Sequence, residues 1–190
     1  MSKDGRNRVI VLEGLPGTGK TTLSNLFSQE ILVVPEIVLD INDAEKEGEL
    51  FYFKNDLAKI KKAKEAKDVV LVGRSYASTL AHNYARLVMD SRSDYFNVLE
   101  VFAKNKKEGI LVPDLYIYLE IEVKNSLARK NRPVNRDDIW TQEKYLNIIQ
   151  NYYKNYFQLI EPDIPVVVID GEKELDIVYA EIKKYLTDQY

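Results

Sequence analysis

The chain has 190 residues, 45% of them apolar and 30% charged, with 8 Gly and 6 Pro, a balance that suits a domain large enough for one sizeable core. Lys and Arg total 27 against 30 Asp and Glu, and at a formal net charge of −3 there is no overall positive field to hold nucleic acid. Zero Cys excludes disulfides, thiolate metal sites and thiol nucleophiles, and the single His, His82, excludes any site that needs two histidines. No apolar stretch approaches the roughly 20 residues of a membrane span, and residues 1–8 form a short polar arm rather than an export signal. The expectation is a cytoplasmic protein with neither membrane nor nucleic acid as partner.

In chain order, short apolar runs alternate with longer stretches of helical period. Strands are predicted at 9–13, 31–34, 69–72, 115–120 and 166–169, and helices at 20–29, 49–67, 75–89, 95–107, 123–130, 141–160 and 172–186. That alternation predicts the α/β class, a five-stranded parallel sheet with helices on both faces, because each parallel connection needs a crossover helix. The strand runs are continuous rather than alternating, which implies burial on both faces. Residues 43–48 read as a loop. Residues 130–138, KNRPVNRDD, carry three positive charges and one apolar residue, Val134, the composition of a solvated segment between two helices. We expect one domain over 1–190 with a short Arg-containing lid at about residues 129–140.

The sharpest motif lies between the first strand and the first helix. Gly14-Leu15-Pro16-Gly17-Thr18-Gly19-Lys20-Thr21 fits G-x-x-x-x-G-K-[ST], the P-loop. Its glycines let main-chain N–H groups wrap a phosphate, Lys20 reaches the β and γ oxygens, and the Thr21 hydroxyl is a ligand for Mg²⁺. The following helix adds the positive end of its dipole. The nucleotide-contacting set is thus Gly14, Gly17, Thr18, Gly19, Lys20, Thr21 and Thr22, and the fold is of the P-loop NTPase kind. Such a loop fixes the ligand class and leaves the reaction open.

Further segments narrow the reaction. EGLPGTGKTT over 13–22 resembles the loop of the thymidylate kinase and deoxynucleoside kinase superfamily. Val33-Val34-Pro35-Glu36 resembles the segment carrying the acid of deoxynucleoside kinases, and Arg74-Ser75 with the following YASTLAHNYA resembles their strand-end Arg segment. Arg129, Arg132 and Arg136 then fall where those kinases have a lid. The resemblance covers nearly the whole chain and implies a phosphotransferase using ATP and Mg²⁺, with a small-molecule nucleoside or nucleotide as acceptor. It also allows a homodimer through the helices beside the third strand, and it implies an adenine site near 171–173.

Phosphoryl transfer to a hydroxyl needs in-line positioning, charge neutralisation and an acceptor for the departing proton. Glu36 is the candidate general base, at the sheet edge where α/β proteins bind ligands. Arg74 either clamps a phosphate or holds Glu36. Arg129, Arg132 and Arg136 are the candidates for transition-state charge, since the P-loop has no Arg of its own. Phe51, on the ELFYFKND helix that resembles the acceptor helix of these kinases, is a candidate ring to stack on substrate, with core packing as the alternative for it and for Phe53.

Two departures from the family pattern bear on the acceptor. Gly73 stands where the related kinases have an acidic residue before the strand-end Arg, leaving Thr21, with Glu13 or Glu36, for the metal. Asn55 stands where thymidylate kinases have a phosphate-holding Arg, which favours a nucleoside over a monophosphate acceptor, with Lys54 beside it keeping both open. The competing readings are a thymidylate-kinase-like monophosphate kinase and a nucleotide-binding switch without transfer chemistry. Other features read as structural: His82 as a packing residue, Lys59, Lys61, Lys62, Lys64 and Lys67 as a solvated face, and Tyr145, Ile149, Tyr152, Tyr156 and Leu159 as a buried stripe.

Overall fold

The computed structural model describes residues 7–90, 93, 95–108, 112–130 and 138–187. Strands β1 (Arg8–Gly14), β2 (Leu32–Val34), β3 (Val69–Gly73), β4 (Leu115–Glu120) and β5 (Val166–Asp170) form one parallel sheet in the order β2-β3-β1-β4-β5. The helices are α1 (Lys20–Phe27), α2 (Ala44–Glu47), α3 (Glu49–Ala63), α4 (Tyr76–Asp90), α5 (Tyr95–Glu108), α6 (Val123–Lys130), α7 (Glu143–Leu159) and α8 (Leu175–Thr187). The predicted α/β architecture and all five strands are therefore present.

Period-2 geometry splits each central strand between two cores. Val9 and Val11 of β1 join Tyr116 and Tyr118 of β4 in the cluster that also takes residues of α3, α4, α5 and α7. Ile10 and Leu12 join Ile117 and Leu119 in the opposite cluster, under α1 and α8. Burial on both faces is what makes these runs continuously apolar. It does not extend to the sheet edges: Leu32 on β2 and Val168 on β5 are exposed, because each edge strand has a neighbour on one side only.

Local chemistry accounts for other differences from the sequence reading. The expected loop at 43–48 is a 3₁₀ turn, Ile41–Asp43, running into α2; the Asp40 carboxylate accepts from the Asn42 N–H at 3.0 Å and starts it. On α7, Tyr145, Ile149, Tyr152 and Tyr156 are buried as expected, but Leu159 is 75% exposed at the helix end. Lys59 is buried rather than part of a solvated face.

Parallel pairing places every strand's carboxyl end on one edge of the sheet. The P-loop follows central β1 there, flanked by Glu36 and Arg74 after β2 and β3 on one side, and by Gly171 after β5 on the other. This is the edge at which open α/β sheets receive ligands.

Candidate active site

The P-loop backbone needs its glycines for two close approaches. A Cβ on Gly14, at φ +143°, would stand 2.6 Å from the carbonyl oxygen of Leu119, and one on Gly17, at φ +79°, 2.9 Å from that of Ser126. The Ser126 hydroxyl donates to the Pro16 carbonyl at 2.6 Å, so α6 braces the loop. Lys20 Nζ lies inside the loop and donates to the carbonyls of Gly14 at 2.9 Å and Leu15 at 2.6 Å and to the Thr18 hydroxyl at 2.9 Å. Burial, then the charge of Arg74, pulls its pKa well below the ordinary lysine value, against the opposite pull of Glu36 and Glu13. Thr21 and Thr22 are exposed on the first turn of α1.

Beside the loop, Arg74 turns the chain from β3 into α4 at φ +60°, in the left-handed region. Its N–H bonds to the Leu12 carbonyl at 3.0 Å. Its Nε pairs with Glu36 Oε1 at 2.9 Å, and its Nη1 donates to the Ser78 hydroxyl at 3.1 Å. Burial disfavours the guanidinium charge, but Glu36, Tyr153 and Glu13 outweigh it and hold the proton more tightly than usual. Glu36 keeps 54% of its side chain exposed, so the pair has an open face.

Glu13 is fully buried and closes this corner from beneath. Its Oε1 accepts from the Ser75 N–H and Ser75 hydroxyl, both at 2.8 Å, and its Oε2 from the Ser78 hydroxyl at 2.7 Å and the Tyr153 hydroxyl at 3.0 Å. Four hydrogen bonds to a charged acceptor, at about 1.5–3 kcal/mol each, offset the several kcal/mol of burying one carboxylate. With both oxygens engaged, Glu13 has no lone pair turned toward a metal. Thr21 and Glu36 remain from the set the sequence offered. A Cβ on Gly73 would stand 3.1 Å from the Glu36 main-chain nitrogen, a tight approach that any side chain before Arg74 would have to relieve by a small shift of the backbone after β2.

A cavity of about 410 Å³ opens in front of this corner, lined by Pro16, Glu36, Arg74, Asn55, Trp140 and His82 among others. Two of the predicted substrate contacts lie differently from the sequence reading. Phe51 is fully buried and does not line the cavity; its neighbour Tyr52 does, and Phe53 packs in the core. Asn55 reaches the cavity, but its side chain serves the backbone after β2: Nδ2 donates to the Glu36 carbonyl at 2.8 Å, and Oδ1 accepts from the N–H groups of Val38 at 2.8 Å and Leu39 at 3.3 Å. His82 is a wall residue, hydrogen-bonded through Nδ1 to the Tyr145 hydroxyl and stacked on Trp140. Burial, helped by the charges of Arg86 and Arg74, lowers its pKa to about 4.

A second cavity, of about 230 Å³, lies across the loop and is lined by Thr18, Gly19, Arg129, Gly171, Lys173 and Leu175 among others. Arg129 belongs here and not with Glu36: its Nη1 donates to the Gly171 carbonyl at 2.7 Å. Arg132 and Arg136 lie outside the described residues. The sequence reading missed Asp56 and Lys59, both buried in the first cavity's wall, although they share the 3- and 4-residue spacing of Tyr52 and Asn55.

A P-loop flanked by two cavities suits a donor and an acceptor. The profile of the thymidylate kinase family matches residues 33–182, beginning beyond the P-loop. The chain belongs to the thymidylate kinase family. It is similar to a probable thymidylate kinase of Methanococcus aeolicus, 27% identical, with 96% of this chain and 97% of that protein covered. A probable thymidylate kinase of Picrophilus torridus is 28% identical, with 97% and 98% covered. The fold is similar to that of deoxyadenosine kinase from M. mycoides with bound dATP, at a TM-score of 0.75 and 18% identity, covering 94% of this chain and 99% of that one. Thymidylate kinase from Candida albicans gives 0.69 at 14% identity, covering 95% and 91%. This member of the family is thus a phosphotransferase of the nucleoside and nucleotide kinase class, and the switch reading falls away. Among the described residues no helix is long and apolar enough to cross a membrane.

Proposed function

We propose that this kinase transfers the γ-phosphoryl of ATP to a hydroxyl of a nucleoside, with Glu36 as general base and Arg74 as the group that holds it. The observation that carries this reading is the Glu36–Arg74 pair at 2.9 Å, open to the acceptor cavity beside the P-loop. The acceptor hydroxyl would lose its proton to a Glu36 oxygen as its own oxygen bonds to the γ-phosphorus, and the bond from that phosphorus to the β–γ bridging oxygen breaks to release ADP. Lys20 would follow the β and γ oxygens, and the adenine would lie in the cavity of Arg129 and Gly171. Mg²⁺, when bound, would neutralise phosphate charge, with the Thr21 hydroxyl as its protein ligand.

The engagement of Asn55 supports a nucleoside over a monophosphate. A monophosphate acceptor is already ionised, needs no base and gains from an Arg on α3; here that position is a buried amide occupied by the main chain of residues 36–39. The thymidylate-kinase-like alternative draws its support from the curated relatives and from the cations Arg74 and Lys130 in the cavity wall. A screen of ADP release at fixed Mg-ATP over nucleosides, nucleoside monophosphates and unrelated alcohols separates the two. Turnover on a nucleoside well above its monophosphate is expected, and the reverse order would replace the reading.

A further inference from the structure

The acceptor cavity contains an ion pair that the proposed reaction does not use. On α3, Lys59 Nζ lies 3.2 Å from Asp56 Oδ1, with only 4% and 11% of the two side chains exposed. Burying such a pair is costly, and replacement by apolar residues is often neutral or better for stability. Lys59 has three protons and three acceptors: Asp56 Oδ1, the Gly73 carbonyl at 3.3 Å and the Arg74 carbonyl at 3.4 Å. Asp56 is less well provided for. Its Oδ2 has no protein partner among the described residues, and the residue lines the cavity.

The contacts run Asp56, Lys59, Arg74, Glu36, and both carboxylate residues at the ends of this run line the cavity. Resting on the nucleoside reading above, we propose that Asp56 is a specificity-determining residue: its free carboxylate oxygen accepts a hydrogen bond from a second hydroxyl of the acceptor's sugar and repels an acceptor that already carries phosphate. One hydroxyl meets Glu36 and a second meets Asp56, which suits a neutral acceptor with two donors on one ring. A phosphate dianion at either place would meet a carboxylate, with Lys59 already saturated by its three acceptors. Burial outweighs Lys59 and raises the Asp56 carboxyl above the ordinary aspartate range, with Glu13 and Glu36 adding to it, which makes the group a strong acceptor.

The test compares wild type and Asp56→Asn on three acceptors: the preferred nucleoside, its analogue lacking the second sugar hydroxyl, and its monophosphate. The side-chain amide of this variant would still offer Lys59 an oxygen, which favours folding. Wild type should prefer the nucleoside to the deoxy analogue by about tenfold or more in kcat/KM, a charge-assisted bond being the one lost. In Asp56→Asn that preference should shrink by about tenfold, and the monophosphate-to-nucleoside ratio should rise by about the same factor. A folded variant in which either ratio stays at the wild-type value overturns the proposal, even if kcat falls, because a purely structural role lowers rates without changing selectivity. If the variant does not fold, equal wild-type kcat/KM on the nucleoside and the deoxy analogue overturns it instead. Failure of the nucleoside reading is visible separately, in wild type alone, as turnover of the monophosphate and not of the nucleoside, and it removes this proposal as well.

Discussion

Asn55 and Glu36 meet through a side-chain amide and a main-chain carbonyl, Nδ2 to O at 2.8 Å, so the residue that the sequence reading set against an Arg of thymidylate kinases holds the segment bearing the proposed base. The first prediction concerns this contact. Asn55→Arg would not create an anion clamp, because position 55 is only 2% exposed and a guanidinium there would leave the N–H groups of Val38 and Leu39 without an acceptor. Thermal or denaturant unfolding should show a loss of about 1–3 kcal/mol. A stable variant with improved monophosphate turnover would contradict it.

The fate of Asn55 illustrates which parts of the molecule the sequence announces. Strand positions follow from Val- and Ile-rich runs between turns, and the P-loop from glycines whose spacing has one physical use. Glu36 and Arg74 were each legible as strand-end residues, while their pairing depends on β2 lying beside β3. Glu13 reads as a candidate metal ligand, and its engagement by donors from residues 75, 78 and 153 depends on the start of α4 and on α7 closing over it. Lys59 is hidden in a run of lysines; only its spacing from Tyr52, Asn55 and Asp56 marks the inward face of α3. The exposed Val168 follows from the edge position of β5, which composition does not encode.

Lys20→Ala tests the P-loop. The variant loses the cation that follows the β and γ oxygens and keeps the loop backbone, so kcat should fall by at least about a thousandfold. Removing a buried ammonium whose own partners are two carbonyls and a hydroxyl should leave the melting temperature close to wild type. Persistent acceptor phosphorylation in a folded variant would refute the assignment.

Arg129→Ala distinguishes a nucleotide-side role from transition-state charge. Because its guanidinium lies against the Gly171 carbonyl, the KM for ATP should rise by about tenfold with a smaller change in kcat. A large kcat loss at unchanged KM would return Arg129 to the phosphoryl group.

His82 predicts a pH dependence of stability. Its folded pKa of about 4 lies below the unfolded value of about 6.5. Between these values the unfolded chain binds the proton and the folded one does not, so stability falls as pH drops through that window. From pH 6.5 to 5 this one residue should remove about 1.5 kcal/mol. Denaturant unfolding of wild type and His82→Gln at several pH values checks it: the variant's stability should vary less over that window, and equal slopes would rule out the titration.

The central claim is that Glu36, held by Arg74, takes the proton of a nucleoside hydroxyl. Single-turnover rates of wild type and Glu36→Gln on the best nucleoside acceptor test it most directly. Gln keeps the size and an oxygen for Arg74 Nε but cannot accept the proton, so the rate should fall by at least about a hundredfold with acceptor binding little changed. A rate within about threefold of wild type, well below the usual contribution of a general base, would contradict the account.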